Sequence, residues 1–344
     1  MQRKCLKYCL LIVLIVFIAI VAILYSRVYL KTNSPYLTYL SKGFDDTLKK
    51  RCFYRVFGDS LLLINFNFPF YKNIDVLNDL YDGVFGKIVF CGPPPKIEFT
   101  KKPDIEIDSI NGYFSYHCLA LAINKYPNYQ GYFYGNDDMI INWWTMVDLD
   151  RQKIWHGTQI VDFSQDAFSS QSNVWIWWDT FMGLQACQMY FKSLKKLAES
   201  NNNLENYKIF LKNGNGKPRC GKGWADFFYI PGRLAKDFFA LSNIAYSSKL
   251  YLEIATHNIL RSLALSENFV VLAGIYLPDI GYANYSVQAF WSVYNHQVPI
   301  IHPYKFYVKD AAESTYMLKT QVISFKQLLT DCSYSNYTKR LFQK

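Results

Sequence analysis

The chain has 344 residues, 51% of them hydrophobic and 18% aromatic, with 8 cysteines and a formal charge of +10. So much apolar surface excludes a disordered chain, and the modest Gly and Pro content excludes a collagen-like one. Eight cysteines are too sparse for a disulfide-built miniprotein, and no repeat period points to a solenoid or propeller. Arg3, Lys4, Lys7, Arg27 and Lys31 stand before residue 32 with no acid among them, leaving 32 basic against 27 acidic residues beyond. That mild excess makes no case for nucleic acid as a partner.

Tyr8 to Tyr25 is an apolar run without a charge, and its extension to Leu30 adds only Arg27. A helix needs about 20 such residues to cross the hydrocarbon core. A signal peptide has a shorter apolar region and a small-residue cleavage site, and Leu24-Tyr25-Ser26-Arg27 is a poor one. The expectation is a single-pass anchor: cytosolic tail 1–7, transmembrane helix 8–30, stem 31–58 and a lumenal domain 59–344. The basic residues ahead of the run place the N-terminus in the cytosol. Sequons at Asn284 and Asn336 agree with a lumenal domain. Cys52, Cys91, Cys118, Cys187, Cys220 and Cys332 lie beyond the anchor and permit up to three disulfides there. Their spacing is not that of a zinc site.

Leu61 to Phe66 is a continuous apolar run, as in a strand covered on both faces. Asn73 to Tyr81 has helical spacing. Lys87 to Cys91 reads as a second strand, stopped by Gly92-Pro93-Pro94-Pro95. Ile110 to Tyr126 reads as a helix and Gln130 to Tyr134 as a third strand. This alternation predicts a parallel sheet with helices packed on it. Asp179 to Leu197 and Ser248 to Leu265 read as helices, and Phe227 to Pro231, Val270 to Tyr276 and Val298 to His302 as strands. Between them, residues 212–223 hold four Gly and four basic residues. That composition suits a flexible surface loop or a lid over a diphosphate.

Asn136-Asp137-Asp138 follows directly on the third strand. Ligands of open α/β sheets sit beyond the carboxyl ends of strands. Adjacent carboxylates are costly to bury without a cation, and a divalent metal held there can bridge phosphate groups. The same acids can also serve a solvated turn with a helix N-cap. His302 and Lys305 follow a later strand and supply an imidazole and a phosphate-binding charge, or simply cap the strand. Glu253 and Asp226 are candidate bases for an acceptor hydroxyl, with Asp179 a third acid. Glu253 reads equally as an exposed position on an amphipathic helix. Trp143, Trp144, Trp175, Trp177, Trp178 and Trp224 can stack on sugars, though most large aromatics belong to cores.

The Asn136-Asp137-Asp138 segment resembles the DxD motif of GT-A glycosyltransferases, with Asn136 in place of the usual leading Asp. The layout of anchor, stem and lumenal domain is similar to theirs. Leu61–Pro69 with Ile88–Pro93, Tyr132–Trp144, and Trp224–Pro231 with Leu252-Glu253-Ile254-Ala255 resemble the STELLO-like glycosyltransferases, over about residues 59 to 308. The resemblance implies a GT-A-like mixed sheet flanked by helices. It also implies sugar transfer from a nucleotide-sugar donor to a glycan or glycoprotein acceptor in the Golgi lumen, or alternatively the ER. Asp138 and His302 would then hold Mn²⁺ or Mg²⁺. Asn136, Asp137 and Lys305 would contact the nucleotide-sugar, and Glu253 or Asp226 would serve the acceptor. A catalytically silent scaffold that organises other Golgi enzymes or cargo is the alternative, and a homo- or hetero-oligomer is an option under either reading. A lectin-like binder is a third.

Overall fold

The computed structural model describes residues 52–95, 101–157, 161–163, 177–201, 204–277, 287–306 and 311–332. The tail, the anchor, the stem up to residue 51, both sequons and Trp175 lie outside these. Among the described residues no helix is long and apolar enough to cross a membrane. Residues 53–330 form one compact unit. It begins ahead of residue 59: Phe53 and Phe57 are buried, and Phe53 N–H bonds to the Leu329 carbonyl at 3.0 Å. Cys52 and Cys332 form a disulfide.

The centre is a seven-stranded mixed sheet. Strands β1 (Phe57–Asn65), β2 (Phe85–Gly92), β3 (Ile105–Glu106) and β4 (Gly131–Asn136) run parallel in the order β3-β2-β1-β4. Beyond β4 lie β9 (Phe227–Pro231), antiparallel to it, then β6 (Ile154–His156) and β10 (Phe269–Val271). The β1–β4 boundary is where strand order reverses, and such a switch point opens a crevice at the carboxyl ends. Asn65 and Asn136 are partners in register there. A second sheet joins β11 (Gly274–Tyr276), β12 (Ile300–His302) and β5 (Ile140–Ile141), and carries His302 towards the same crevice. A third pairs β7 (Val161–Phe163) with β8 (Cys220–Lys222).

Alternation along the strands builds two apolar layers. Leu61, Leu63, Val89, Tyr132 and Tyr134 enter one core with helices α2 (Tyr116–Lys125), α3 (Leu184–Asn201), α4 (Leu204–Asn213), α5 (Ala235–Ser247) and α6 (Leu252–Leu263). The other face carries an aromatic cluster, in which Phe133 lies 5.1 Å from Phe57, 5.7 Å from Trp155 and 4.6 Å from Tyr229. Helix α1 (Ile74–Tyr81) turns Ile74, Leu77, Leu80 and Tyr81 inward, with the Tyr81 ring edge-on to Phe85 at 6.2 Å. Helices α7 (Val287–Val293), α8 (Ala311–Leu318) and α9 (Ser324–Thr330) complete the unit.

Several expectations need correcting. The helix expected from Ile110 begins at Tyr116, because Asn111 and Gly112 take φ of 54° and 77° and break it into a short turn. The helix expected from Asp179 begins at Leu184, behind a turn closed by Thr180 and Gly183. The single buried strand expected over Val270 to Tyr276 is two short strands in different sheets, with Val271 exposed. Residues 212–223 are neither lid nor open loop at their ends: α4 runs to Asn213 and β8 holds residues 220–222. Helices α4 and α5 fall where no helix was expected.

Candidate functional site

Helix α6 explains why residues 213–224 are fixed. Eleven of its residues are buried, polar ones included, and a buried polar group needs a partner. The Arg261 guanidinium donates to the Asn213 carbonyl at 2.9 Å. Asn258 donates to the Gly221 carbonyl at 2.9 Å and accepts from Gly221 N–H at 3.1 Å. His257 Nε2 donates to the Trp224 carbonyl at 3.1 Å, and Gly223 N–H donates to the Glu253 carbonyl at 3.3 Å. Glu253, His257 and Arg261 are spaced four apart, one helical face. The Cys187–Cys220 disulfide ties the same segment to α3. Asp226 emerges from this pinned segment.

At the switch point the ends of β1 and β4 are knitted together. Asp137 N–H donates to the Asn65 carbonyl at 2.8 Å, and Asn136 N–H donates to the Asp226 carbonyl at 3.1 Å. The Asn136 amide is engaged at both its nitrogen and its oxygen. It donates to Asp226 Oδ1 at 2.8 Å and accepts from Tyr134 OH at 3.0 Å and Asn65 Nδ2 at 3.4 Å. Asn65 also donates to Asn67 Oδ1 at 2.7 Å. Asn136 therefore orients Asp226 across the crevice.

Asp138 is the focus of charge. His302 Nε2 lies 3.3 Å from Asp138 Oδ1 and 3.5 Å from Asp226 Oδ1, and Lys305 Nζ contacts Asp138 Oδ2. Tyr304 N–H donates to the Asp138 carbonyl at 2.5 Å, which fixes the segment after β12 against the segment after β4. The site thus gathers Asn136, Asp137, Asp138, Asp226, His302 and Lys305. Asp179 does not join them; it is exposed in the turn before α3.

Electrostatics separates the two adjacent acids. Burial, reinforced by the Asp138 charge, pushes the Asp137 carboxyl well above the usual range. Burial opposes ionisation of Asp138 too, but His302 and Lys305 hold it well below that range. For His302, burial disfavours the charge, yet Asp226 and Asp138 raise it to about 9. One acid neutral beside one ionised is the arrangement low-dielectric sites impose on carboxylate pairs. Glu253 is pushed up to about 7, first by burial and then by Asp226, with Lys222 and His302 opposing.

The donor set suits a divalent cation. Asp138 Oδ1 is buried and meets only the ion-pair contact with His302 Nε2 at 3.3 Å, and carboxylate with a neutral imidazole is an acceptable set for Mn²⁺. Among the described residues no three of His, Cys, Asp and Glu are arranged to hold a metal by themselves. Mg²⁺-type sites commonly use one or two carboxylates and complete their shell with water and substrate phosphate.

Sequence reading missed Asn65, Asn67, Tyr134, His257 and Tyr276. The first two follow an apolar strand end, as Asn136 does, and that parallel was the available signal. Tyr134 bonds Asn136 two residues on, whereas His257 and Tyr276 act through partners far along the chain. Of the aromatics, Trp143, Trp144 and Trp178 are buried, and Trp177 stacks on Tyr251 at 4.6 Å.

The family model for STELLO glycosyltransferases matches residues 39–215, just over half of the chain. The stretch includes Asn136 to Asp138 and ends before Asp226, Glu253, His302 and Lys305. The chain is 22% identical over 254 residues to "Probable glycosyltransferase STELLO2" of Arabidopsis thaliana, covering 72% of this chain and 30% of that protein. It is 22% identical over 248 residues to "Probable glycosyltransferase STELLO1" of the same plant, with the same two coverages. The chain therefore spans less than a third of the length of these relatives. With the switch-point site and the family match together, the chain belongs to the STELLO glycosyltransferase family.

Proposed function

We propose that this protein is a nucleotide-sugar-dependent glycosyltransferase of GT-A-like fold, acting on a glycan or glycoprotein. The observation that carries the reading is the convergence of Asp138, His302 and Lys305 at the β1–β4 switch point, with Glu253 one pinned segment away. Transfer joins an acceptor oxygen to the anomeric carbon and releases the diphosphate. Lys305 places positive charge where a diphosphate would leave, the electrostatic role that usually contributes most to such a reaction. Asp138 with His302 would hold Mn²⁺ or Mg²⁺, which when bound neutralises charge on the phosphates. Asp226 is tied by Asn136 and His302, so Glu253, near 7, is the better placed carboxylate to receive the acceptor proton. The apolar run at 8–30 supports a single-pass anchor with the domain in the Golgi lumen, and the three disulfides suit an oxidising compartment.

A silent scaffold is the second reading, favoured by Lys305 and His302 already neutralising Asp138 where a cation would act. Thermal melts of the full chain with UDP, GDP and CMP, each with and without Mn²⁺, separate the two. A transferase should gain several degrees with one nucleotide and metal, since ligand at about 100 times its Kd stabilises by about 2.7 kcal/mol. Asp138→Ala should abolish that gain. No response to any nucleotide in folded wild-type protein would overturn the transferase reading.

A further inference from the structure

Trp224 is the tryptophan the core does not take. Among the described residues five other tryptophans are buried and Trp177 is stacked on Tyr251, whereas 46% of Trp224 meets solvent. Leaving so large an apolar body in water forgoes the burial that stabilises the others. Yet Trp224 is held firmly. Its carbonyl accepts from His257 at 3.1 Å, and the preceding Gly223 is bonded to the Glu253 carbonyl. Its ring meets Tyr276 edge-on at 4.2 Å, and Tyr276 is fixed by its hydroxyl on the Gly157 carbonyl at 3.1 Å.

The position gives the exposure a purpose. The Tyr276 ring also lies 6.1 Å from the His302 imidazole, so Trp224 and His302 flank the same tyrosine. Glu253 and His257 are one turn apart on α6, and the Trp224 peptide hangs across both. Asp226 follows two residues later. An exposed, braced indole thus stands on the segment that is fastened to the turn of α6 bearing Glu253, the residue assigned above to the acceptor.

We propose that Trp224 is the platform on which the acceptor sugar stacks, and that the acceptor is a neutral pyranoside with one hydroxyl turned towards Glu253. The proposal rests on the transferase reading above for the role of Glu253. The indole face is negative and attracts the slightly positive C–H face of a pyranose. The Asp226 carboxylate, two residues along the chain from the platform, disfavours an acidic sugar by like-charge repulsion.

The test is saturation-transfer NMR on the full chain with the methyl glycosides of glucose, galactose, mannose, N-acetylglucosamine and glucuronic acid. At least one neutral glycoside should receive transfer at its ring C–H protons, and the glucuronide should not. Trp224→Ala should weaken that binding at least tenfold. Trp224→Phe should stay within about threefold of wild type, because a smaller ring keeps the stacking face. Tyr316→Ala, an exposed aromatic on α8, should change nothing. If Trp224→Ala does not fold, the Trp224 indole N–H signal, assigned by its loss in Trp224→Phe, should shift on titration of wild type. Glycoside binding unchanged in Trp224→Ala, an unmoved indole signal, or no glycoside binding at all would overturn the platform. Nucleotide-induced stabilisation of Trp224→Ala, measured in parallel, should equal that of wild type. If no nucleotide responds while glycoside binding depends on Trp224, the transferase reading falls and the platform stands.

Discussion

Asn136 stands at the site's most exacting position. Its amide donates to Asp226 and accepts from Tyr134 and Asn65 at once. Asn136→Asp keeps both acceptor roles, loses the donor and sets a second carboxylate against Asp226. The metal-free variant should lose about 1–3 kcal/mol, the usual cost of leaving a buried polar partner unsatisfied. It should also gain more from Mn²⁺ than wild type, because the added carboxylate is a ligand for hard cations. Melting curves with and without Mn²⁺ check both signs. An unchanged Mn²⁺ response would mean that this position does not face the cation. At this scale the acid pair was legible, since Asp137 and Asp138 follow an apolar strand directly. The split between them was not, because it comes from His302 and Lys305, which no local pattern connects to β4.

Among the elements, β1, β2, β4 and α1 were legible because each is a short apolar run or periodic stretch bounded by turn residues. Helix α6 was legible as a helix but not as a fastener. Its buried polar face has meaning only beside residues 213–224, and the Gly and Lys content of residues 212–223 reads as a loop. The disulfide from Cys187 to Cys220 closes 33 residues of separation around this fastening. Chain entropy assigns such a loop roughly 3–4 kcal/mol. Replacing both cysteines with alanine should cost about that much in urea denaturation. It should also reduce the nucleotide response, because the freed segment carries Asp226. Lost stability with an unchanged response would show that α6 alone holds Asp226 in place.

Across the whole molecule, buried histidines set a limit at acid pH. Burial lowers His117, which bonds Ser242 and stacks on Tyr246, to about 4. Burial, and then His156, lower His257 to about 3. Both are depressed below the unfolded value of about 6.5, so the unfolded chain takes up protons first as pH falls. Their contribution is whole above about pH 6.5 and is lost progressively towards pH 4 and below. For His117 the loss is on the order of 3 kcal/mol. Raised carboxyls at Glu253 and Asp137 act in the opposite direction over that range, so the readout is the difference between variants: the melting temperature of His117→Gln should rise relative to that of wild type as pH falls from 6.5 to 4. A difference between His117→Gln and wild type that does not change from pH 6.5 to 4 would contradict the neutral, buried state.

Lys305 contacts Asp138 across a sequence separation of 167 residues. A ribosome adds about 5–20 residues per second, so Asp138 exists for roughly ten seconds or more before its counter-charges are made. Until then, burying the carboxylate end of β4 costs several kcal/mol. A chain ending at residue 299 should consequently stay protease-sensitive around β4, although it contains every strand of the central sheet. Protection equal to that of the full chain would refute the idea. The centre of the sheet is thus made early and sealed late, which leaves its switch point open to water for nearly half of the protein's synthesis.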